Sequence, residues 1–235
     1  MNKKLLCCVA ACLCMTMASY GQVGVQIGFN QSIERTKVGS DGKFESNPGL
    51  NGFKAGVFYE HNFKYGLGMY YGANYSFLHH QSKWKGIGNG WFSRTQTTAH
   101  HLDIPVHFQY KLSIATDTYL MAYAGPTFAL GLGGKEAVST KNGLPEHNPL
   151  FQLNTTSYDM YKRDANNDGF ADLQRFDLLL SVGLGLQYKN IQVKGGYDFG
   201  MLNRYGNAYI DGSRWFDRRN EWSVKVSYLF GKWKW

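Results

Sequence analysis

Beyond residue 21 the chain has no cysteine: Cys7, Cys8, Cys12 and Cys14 are all it contains. That absence excludes disulfide scaffolds, thiolate metal sites and cysteine nucleophiles together. The same stretch has no apolar run approaching the ~18 residues a spanning helix needs. Nor does it hold a dense run of basic residues. Without Lys3 and Lys4 the formal net charge of +8 falls to +6 over the remaining residues, and nothing clusters as a nucleic-acid groove would require. A membrane role is therefore open only to a closed barrel, because an open sheet would leave unpaired backbone groups in lipid.

The first 21 residues read separately. Lys3 and Lys4 form a positive region, Leu5 to Ala18 is uncharged and mostly apolar, and Ser19-Tyr20-Gly21 supplies small residues at the cleavage positions. This predicts a signal peptide over residues 1–21, cut before Gln22, and a β-barrel domain over 22–235. Val9-Ala10-Ala11-Cys12 resembles a lipobox. Against lipidation, the apolar run continues past Cys12 and no polar tether follows.

What the chain does have is aromatic residues at 16% and 28 glycines, against an ordinary glycine content of ~7%. Phe176 to Met201 shows how they are used. Phe176, Leu178, Leu180, Val182, Leu184, Leu186 and Tyr188 alternate with a small or polar set broken only by Leu179. After Lys189-Asn190, Ile191, Val193, Gly195, Tyr197, Phe199 and Met201 alternate with Gln192, Lys194, Gly196, Asp198 and Gly200. Period two is the signature of a strand. Each arm is about a dozen residues, enough for the ~9–11 that cross a bilayer on a tilt, and aromatics mark the ends as interfacial girdles do.

Six further segments alternate in the same way: 22–31, 52–60, 65–77, 102–111, 118–132 and 221–230. With the hairpin arms they predict an all-β protein, an eight-stranded antiparallel up-and-down transmembrane barrel. Pro105 lies inside the fourth segment, and a proline there predicts a bulge. The polar stretches 32–51, 79–98, 133–174 and 203–220 read as loops. Connections then alternate long and short, with long loops at one end and tight turns at the other, which is the outer-membrane layout. A soluble ligand-binding barrel is disfavoured, because the polar, glycine-rich face could not line an apolar cavity.

HHLDIPVHFQYKL, YLMAYAGPTFALGLGG and RFDLLLSVGLGLQYKNIQVKGGYDFGMLN together resemble the PorT-like outer-membrane β-barrel family of Bacteroidetes, a porin-type family. Leu-Asp-Ile-Pro, Ala-Gly-Pro and Arg-Phe-Asp carry the likeness, which spans roughly 22–230. The resemblance implies an eight-stranded barrel in the cell outer membrane. It further implies partners among outer-membrane lipid, lipopolysaccharide, the barrel assembly machinery and, as for a founding member, secretion-system components. The Lys-Trp-Lys-Trp ending beyond Phe230 departs from the single terminal aromatic of such barrels.

Alternation sends Lys54, Glu60, Asp103, His107, Lys111, Asp177, Lys194, Asp198, Glu221 and Lys225 into the barrel. Eight strands enclose only enough room for side chains, so these charges should pair across the lumen as a plug. Asp164, Asn166, Asp168, Phe170 and Asp172 match the first nine positions of a calcium loop, with Gly169 at the sixth, but Arg175 stands where the bidentate glutamate belongs. Calcium is thus a possible cofactor, with a solvated turn as the alternative. His79-His80 and His100-His101 sit at the loop ends of neighbouring strands and would form a weak metal site at the rim if they faced each other. Ser76 near His79 is the one pair suggesting a nucleophile and base, with nothing to orient it. The expectation is a non-catalytic barrel acting through surface loops or as a secretion or envelope accessory. An outer-membrane lipid-modifying enzyme and a small solute or ion channel are the alternatives.

Overall fold

Runs of Val, Ile, Tyr and Phe alternating with small or polar residues suit a pleated sheet, whose successive side chains point to opposite faces. In lipid such strands must also pair at both edges, since water is absent to satisfy a bare one. The computed structural model meets both demands. It describes residues 21–38, 43, 45–85, 91–142, 154–161, 173–205, 209–210 and 213–231. Its strands are β1 (Gly21–Val38), β2 (Glu45–Asn62), β3 (Leu67–Lys85), β4 (Trp91–Ala115), β5 (Thr118–Asn142), β6 (Asn154–Asp159), β7 (Phe176–Tyr188), β8 (Ile191–Gly200), β9 (Tyr209–Ile210) and β10 (Ser213–Phe230).

Eight of them form the ring β1-β2-β3-β4-β5-β7-β8-β10, and β10 pairs with β1 to close it. The closing seam runs in unbroken antiparallel register from Val23–Phe230 to Val38–Trp215. The short strands β6 and β9 add only to the upper edges of β5 and β10. The outward set anticipated from alternation is exposed on every barrel strand, including Ile27, Val57, Phe108, Leu120, Leu184, Val193 and Val226. The inward set is buried. Leu179, the one large aliphatic side chain on the inward face of its arm, is fully enclosed.

Tight turns join the strands at one end. Lys189-Asn190 forms a two-residue turn with Lys189 at φ 51°, the left-handed backbone that such hairpins require. The Asn190 side-chain amide donates to the carbonyls of Leu229 (2.6 Å) and Gly231 (2.8 Å), and Gln22 donates to Gly231 at 3.1 Å. The two ends of the described chain are thereby tied to this turn. Residues 1–20 of the expected signal segment lie outside the described residues, and the cut expected before Gln22 falls at the start of β1.

Two expectations are corrected. Register is continuous across Pro105: Tyr71–Val106 and Asn74–Asp103 share one register with β3, as do Pro105–Thr127 and Phe108–Ala124 with β5. No bulge is needed because Gly72 lies opposite, where even a Cβ would come within 3.2 Å of the proline ring. The shifts in β4–β5 fall instead at His100/His101 and Ser113/Ala115. The first faces Gly131 to Gly134, a glycine-rich stretch of the kind that hosts bulges.

The second correction concerns the long loops. β1, β2, β3, β4, β5 and β10 run on for 18 to 25 residues, well beyond the ~9–11 that cross a bilayer. Much of 32–51, 79–98 and 203–220, and the start of 133–174, is therefore paired strand rather than loop. Above the membrane neither face needs apolar side chains, so these arms lose the hydrophobic alternation that betrays a strand, while their Thr, Val, Trp and Phe residues keep its backbone preference.

A closed barrel resists detergent until heated. Unboiled and boiled protein should therefore migrate differently on a gel, and replacing lipid-facing Leu184 by arginine should cost about 2–4 kcal/mol near the midplane, read as a lower urea midpoint in vesicles.

Candidate functional site in the barrel lumen

The inward positions of eight strands converge on a narrow interior. All ten anticipated residues, Lys54, Glu60, Asp103, His107, Lys111, Asp177, Lys194, Asp198, Glu221 and Lys225, are buried there. They form layers. Nearest the tight turns, the Glu60 carboxylate accepts from Lys111 (2.6 Å), Lys194 (3.2 Å) and the Gln192 amide (3.0 Å). Lys111 also donates to Gln187 at 2.8 Å. One level up, Lys54 lies between Asp103, 2.8 Å away, and Glu221, with Asp198 opposite Glu221 on β8. Above these, Arg219 reaches Asp103 at 3.6 Å and Asp177 at 4.0 Å. Buried ions of this kind survive only when opposite charges and hydrogen bonds compensate their lost hydration.

A column of rings crosses the same space. Phe58, Tyr70, His107 and Tyr123 stack in sequence from β2 to β5, with centroids 5.1, 5.6 and 5.3 Å apart. His107 Nε2 also meets the Thr127 hydroxyl at 3.0 Å. Glycines make the column possible. A Cβ on Gly24 would lie 2.3 Å from the Phe58 ring, and one on Gly196 would lie 2.1 Å from the Tyr123 hydroxyl. Part of the glycine excess is thus space for inward rings.

The mouth is covered from above. Tyr161 donates to or accepts from His101 Nε2 at 3.0 Å, and the Arg175 guanidinium lies 5.2 Å from the centre of the Tyr161 ring. Beside it, buried Arg204 pairs with Asp217 at 3.2 Å and reaches Glu34 at 3.8 Å. Asn203 Oδ1 accepts from the Asp217 amide at 2.9 Å and fixes the segment. Asp217 stands above the membrane-facing belt. Burial, opposed by Arg204 and joined by Glu34, pushes its carboxyl up to about 6.

Arg204, Asp217, Arg219, Tyr123, Gln187 and Gln192 were not singled out from sequence as site residues. For Asp217 and Arg219 the signal existed: they continue the inward parity of Glu221 and Lys225 into a stretch read as loop. Arg204 has no such cue, because only the tertiary fold turns it inward.

Other anticipated sites come apart. Ser76 is fully buried in the lumen and accepts from the Asn30 amide at 3.1 Å, whereas His79 is exposed and meets Thr98. They point to opposite sides of the wall and cannot act as nucleophile and base. The histidines do not face one another: His79 lies opposite Thr98, Phe77 opposite His100, and Ser76 opposite His101. Among the described residues no group of three or more His, Cys, Asp or Glu is placed to hold a metal. The calcium-loop residues Asp164, Asn166, Asp168, Phe170 and Asp172 lie outside the described residues.

A closed eight-stranded ring with an apolar outer belt and a charged interior defines an integral outer-membrane β-barrel. The chain belongs to the outer membrane protein beta-barrel domain family, whose model matches residues 16–205. Among solved structures it is similar to Ail, the attachment invasion locus protein of Yersinia pestis (16% identity, 90% of this chain and 99% of that one, TM-score 0.33). It is also similar to Neisserial surface protein A (13%, 88% and 97%, TM-score 0.37). A third is OprG from Pseudomonas aeruginosa (12%, 90% and 96%, TM-score 0.43). A search of curated proteins finds no match.

Replacing Glu60 by alanine leaves two buried ammonium groups without their shared partner. It should cost about 3–5 kcal/mol, measured by urea unfolding in vesicles. The mouth carries a pH signature. Because the folded Asp217 carboxyl titrates near 6, above the ~3.9 of an unfolded aspartate, its charge penalises the fold above pH 6. That penalty fades as pH falls through 6 toward 4. The pH 5 to pH 7 difference in urea midpoint should therefore shrink in Asp217→Asn.

Proposed function

We propose that this protein is a non-catalytic barrel of PorT-like type whose lumen is a plug and whose extracellular hairpins do the work, binding at the cell surface or serving a secretion or envelope accessory. The observation carrying this reading is the interior itself. It is crossed by a ring column, filled by ion pairs and covered at the mouth by Tyr161 and Arg204, while paired strands project far beyond the belt. Function on such folds resides in the site and not the scaffold, and here the elaborated part is the outer end.

One feature of the outer wall favours lipopolysaccharide as a partner there. Lys83 is directly opposite Arg94 across β3–β4. Alternation places this pair outward, above the belt. Like charges directly opposite destabilise a sheet, and a phosphate bridging the pair removes that cost through charge-assisted hydrogen bonds. Insertion would rely on the barrel assembly machinery, and the projecting hairpins suit secretion-system components.

In planar bilayers the purified protein should give no stepwise conductance; regular channel openings would overturn the plug. A deletion strain assayed for secreted protease activity tests the accessory role, and unaltered secretion would limit the protein to surface binding. Mass spectrometry of lipid A from the same strain should be unchanged, and a lost modification would favour a lipid-modifying enzyme.

A further inference from the structure

Parity sorts charge on the outside of the wall as it does inside. Above the belt, β3, β4, β5 and β6 continue as one sheet, and their register sets three outward rows. The lowest row lies just above the girdle contact of Phe77 with His100, whose ring centroids are 5.2 Å apart. It carries Lys135, with Asp159 opposite. The highest carries Lys83 opposite Arg94. Between them, Gln81, Gln96, Ala137 and Ser157 stand side by side.

No position in these rows holds a large apolar side chain, so the face is not built to meet acyl chains. Its charge is unbalanced. Three basic side chains stand against the carboxylate of Asp159, which already accepts from the Tyr161 amide at 2.9 Å. The Arg94 Nε is buried and, among the described residues, has no hydrogen-bond partner. Two rows separate the basic ends, about 13 Å at ~3.3 Å per residue. The middle row is neutral. Its two glutamine amides each donate and accept, and the small Ala137 leaves a shallow seat between Gln96 and Ser157.

We infer that this face binds the core oligosaccharide of lipopolysaccharide in the surrounding leaflet, with an acidic group at each end and a neutral sugar between. Lys83 and Arg94 clamp one acidic group and Lys135 takes the other, through charge-assisted hydrogen bonds. Ala137 receives the apolar face of the sugar ring, while Gln81, Gln96 and Ser157 bond its hydroxyls. Position selects this occupant: an outward face directly above the girdle meets the sugar layer of the leaflet. The inference rests on the surface-binding reading above and extends it from a phosphate at one charge pair to a saccharide site of defined extent.

The probe is lipopolysaccharide core freed of its acyl chains, titrated against the whole protein in detergent micelles. Wild type should bind it, and Arg94→Gln and Lys135→Gln should each weaken binding about tenfold. Ala137→Trp fills the seat without touching a charge and should weaken binding to a similar degree. Arg218→Gln, which removes an exposed charge from β10 on the far side of the ring, should bind like wild type. Heat-modifiable mobility checks that each variant folds. Equal binding by wild type, Arg94→Gln and Ala137→Trp would overturn this site and leave surface binding elsewhere on the protein intact. Displacement by inorganic phosphate as readily as by free core would reduce the site to a phosphate contact and also overturn it. A wild type that retains neither the core nor intact lipopolysaccharide would remove lipopolysaccharide as a partner altogether.

Discussion

The whole molecule depends on the seam between β1 and β10. In hydrocarbon an unpaired backbone N–H or C=O costs several kcal/mol, so a strand with one free edge is not an option. Sixteen residue pairs from Val23–Phe230 to Val38–Trp215 close the ring, and everything else follows from that closure. It fixes the alternation as lipid-facing against lumen-facing, and it forces the inward side chains of eight strands into one narrow space. The tie between Asn190 and the last carbonyls of β10 holds the seam's lower end in place.

Closure at this size creates the problem that the interior then solves. The lumen is too narrow for bulk water and too polar for an apolar core, so its charges satisfy one another. Glu60, Lys54 and Arg219 each engage two opposite charges drawn from other strands. Such a network links strands distant in sequence, Lys54 to Glu221 and Glu60 to Lys194 among them. It stiffens the cylinder against collapse, since removing one member strands the rest. Ring stacking and glycine work together in the same space: Phe58 and Tyr123 fit because Gly24 and Gly196 leave room opposite.

The outer end obeys other rules. Past the belt the strands stay paired but no longer need an apolar face, and the segment carrying Arg204 folds inward to cover the mouth. Here burial acts on titratable groups close to solvent, as the raised Asp217 carboxyl illustrates. The membrane part of the protein is thus organised by the absence of water and the outer part by its return.

The sequence by itself determined the membrane portion: which segments are strands, which face of each meets lipid, and which ten charged or titratable residues enter the lumen. It could do so because lipid on one side and a packed interior on the other impose a strict period of two, as between Phe176 and Met201. That period fades above the belt, and there the strand ends, the inward placement of Asp217 and Arg219 and the cover formed by Tyr161 were not legible. Nor was the choice of partners. Alternation sends Lys194 and Lys225 inward alike, but only the strand register sets them side by side, and only the geometry pairs Lys194 with Glu60. Partner choice depends on distances between strands far apart in the chain, and a local period carries no information about those.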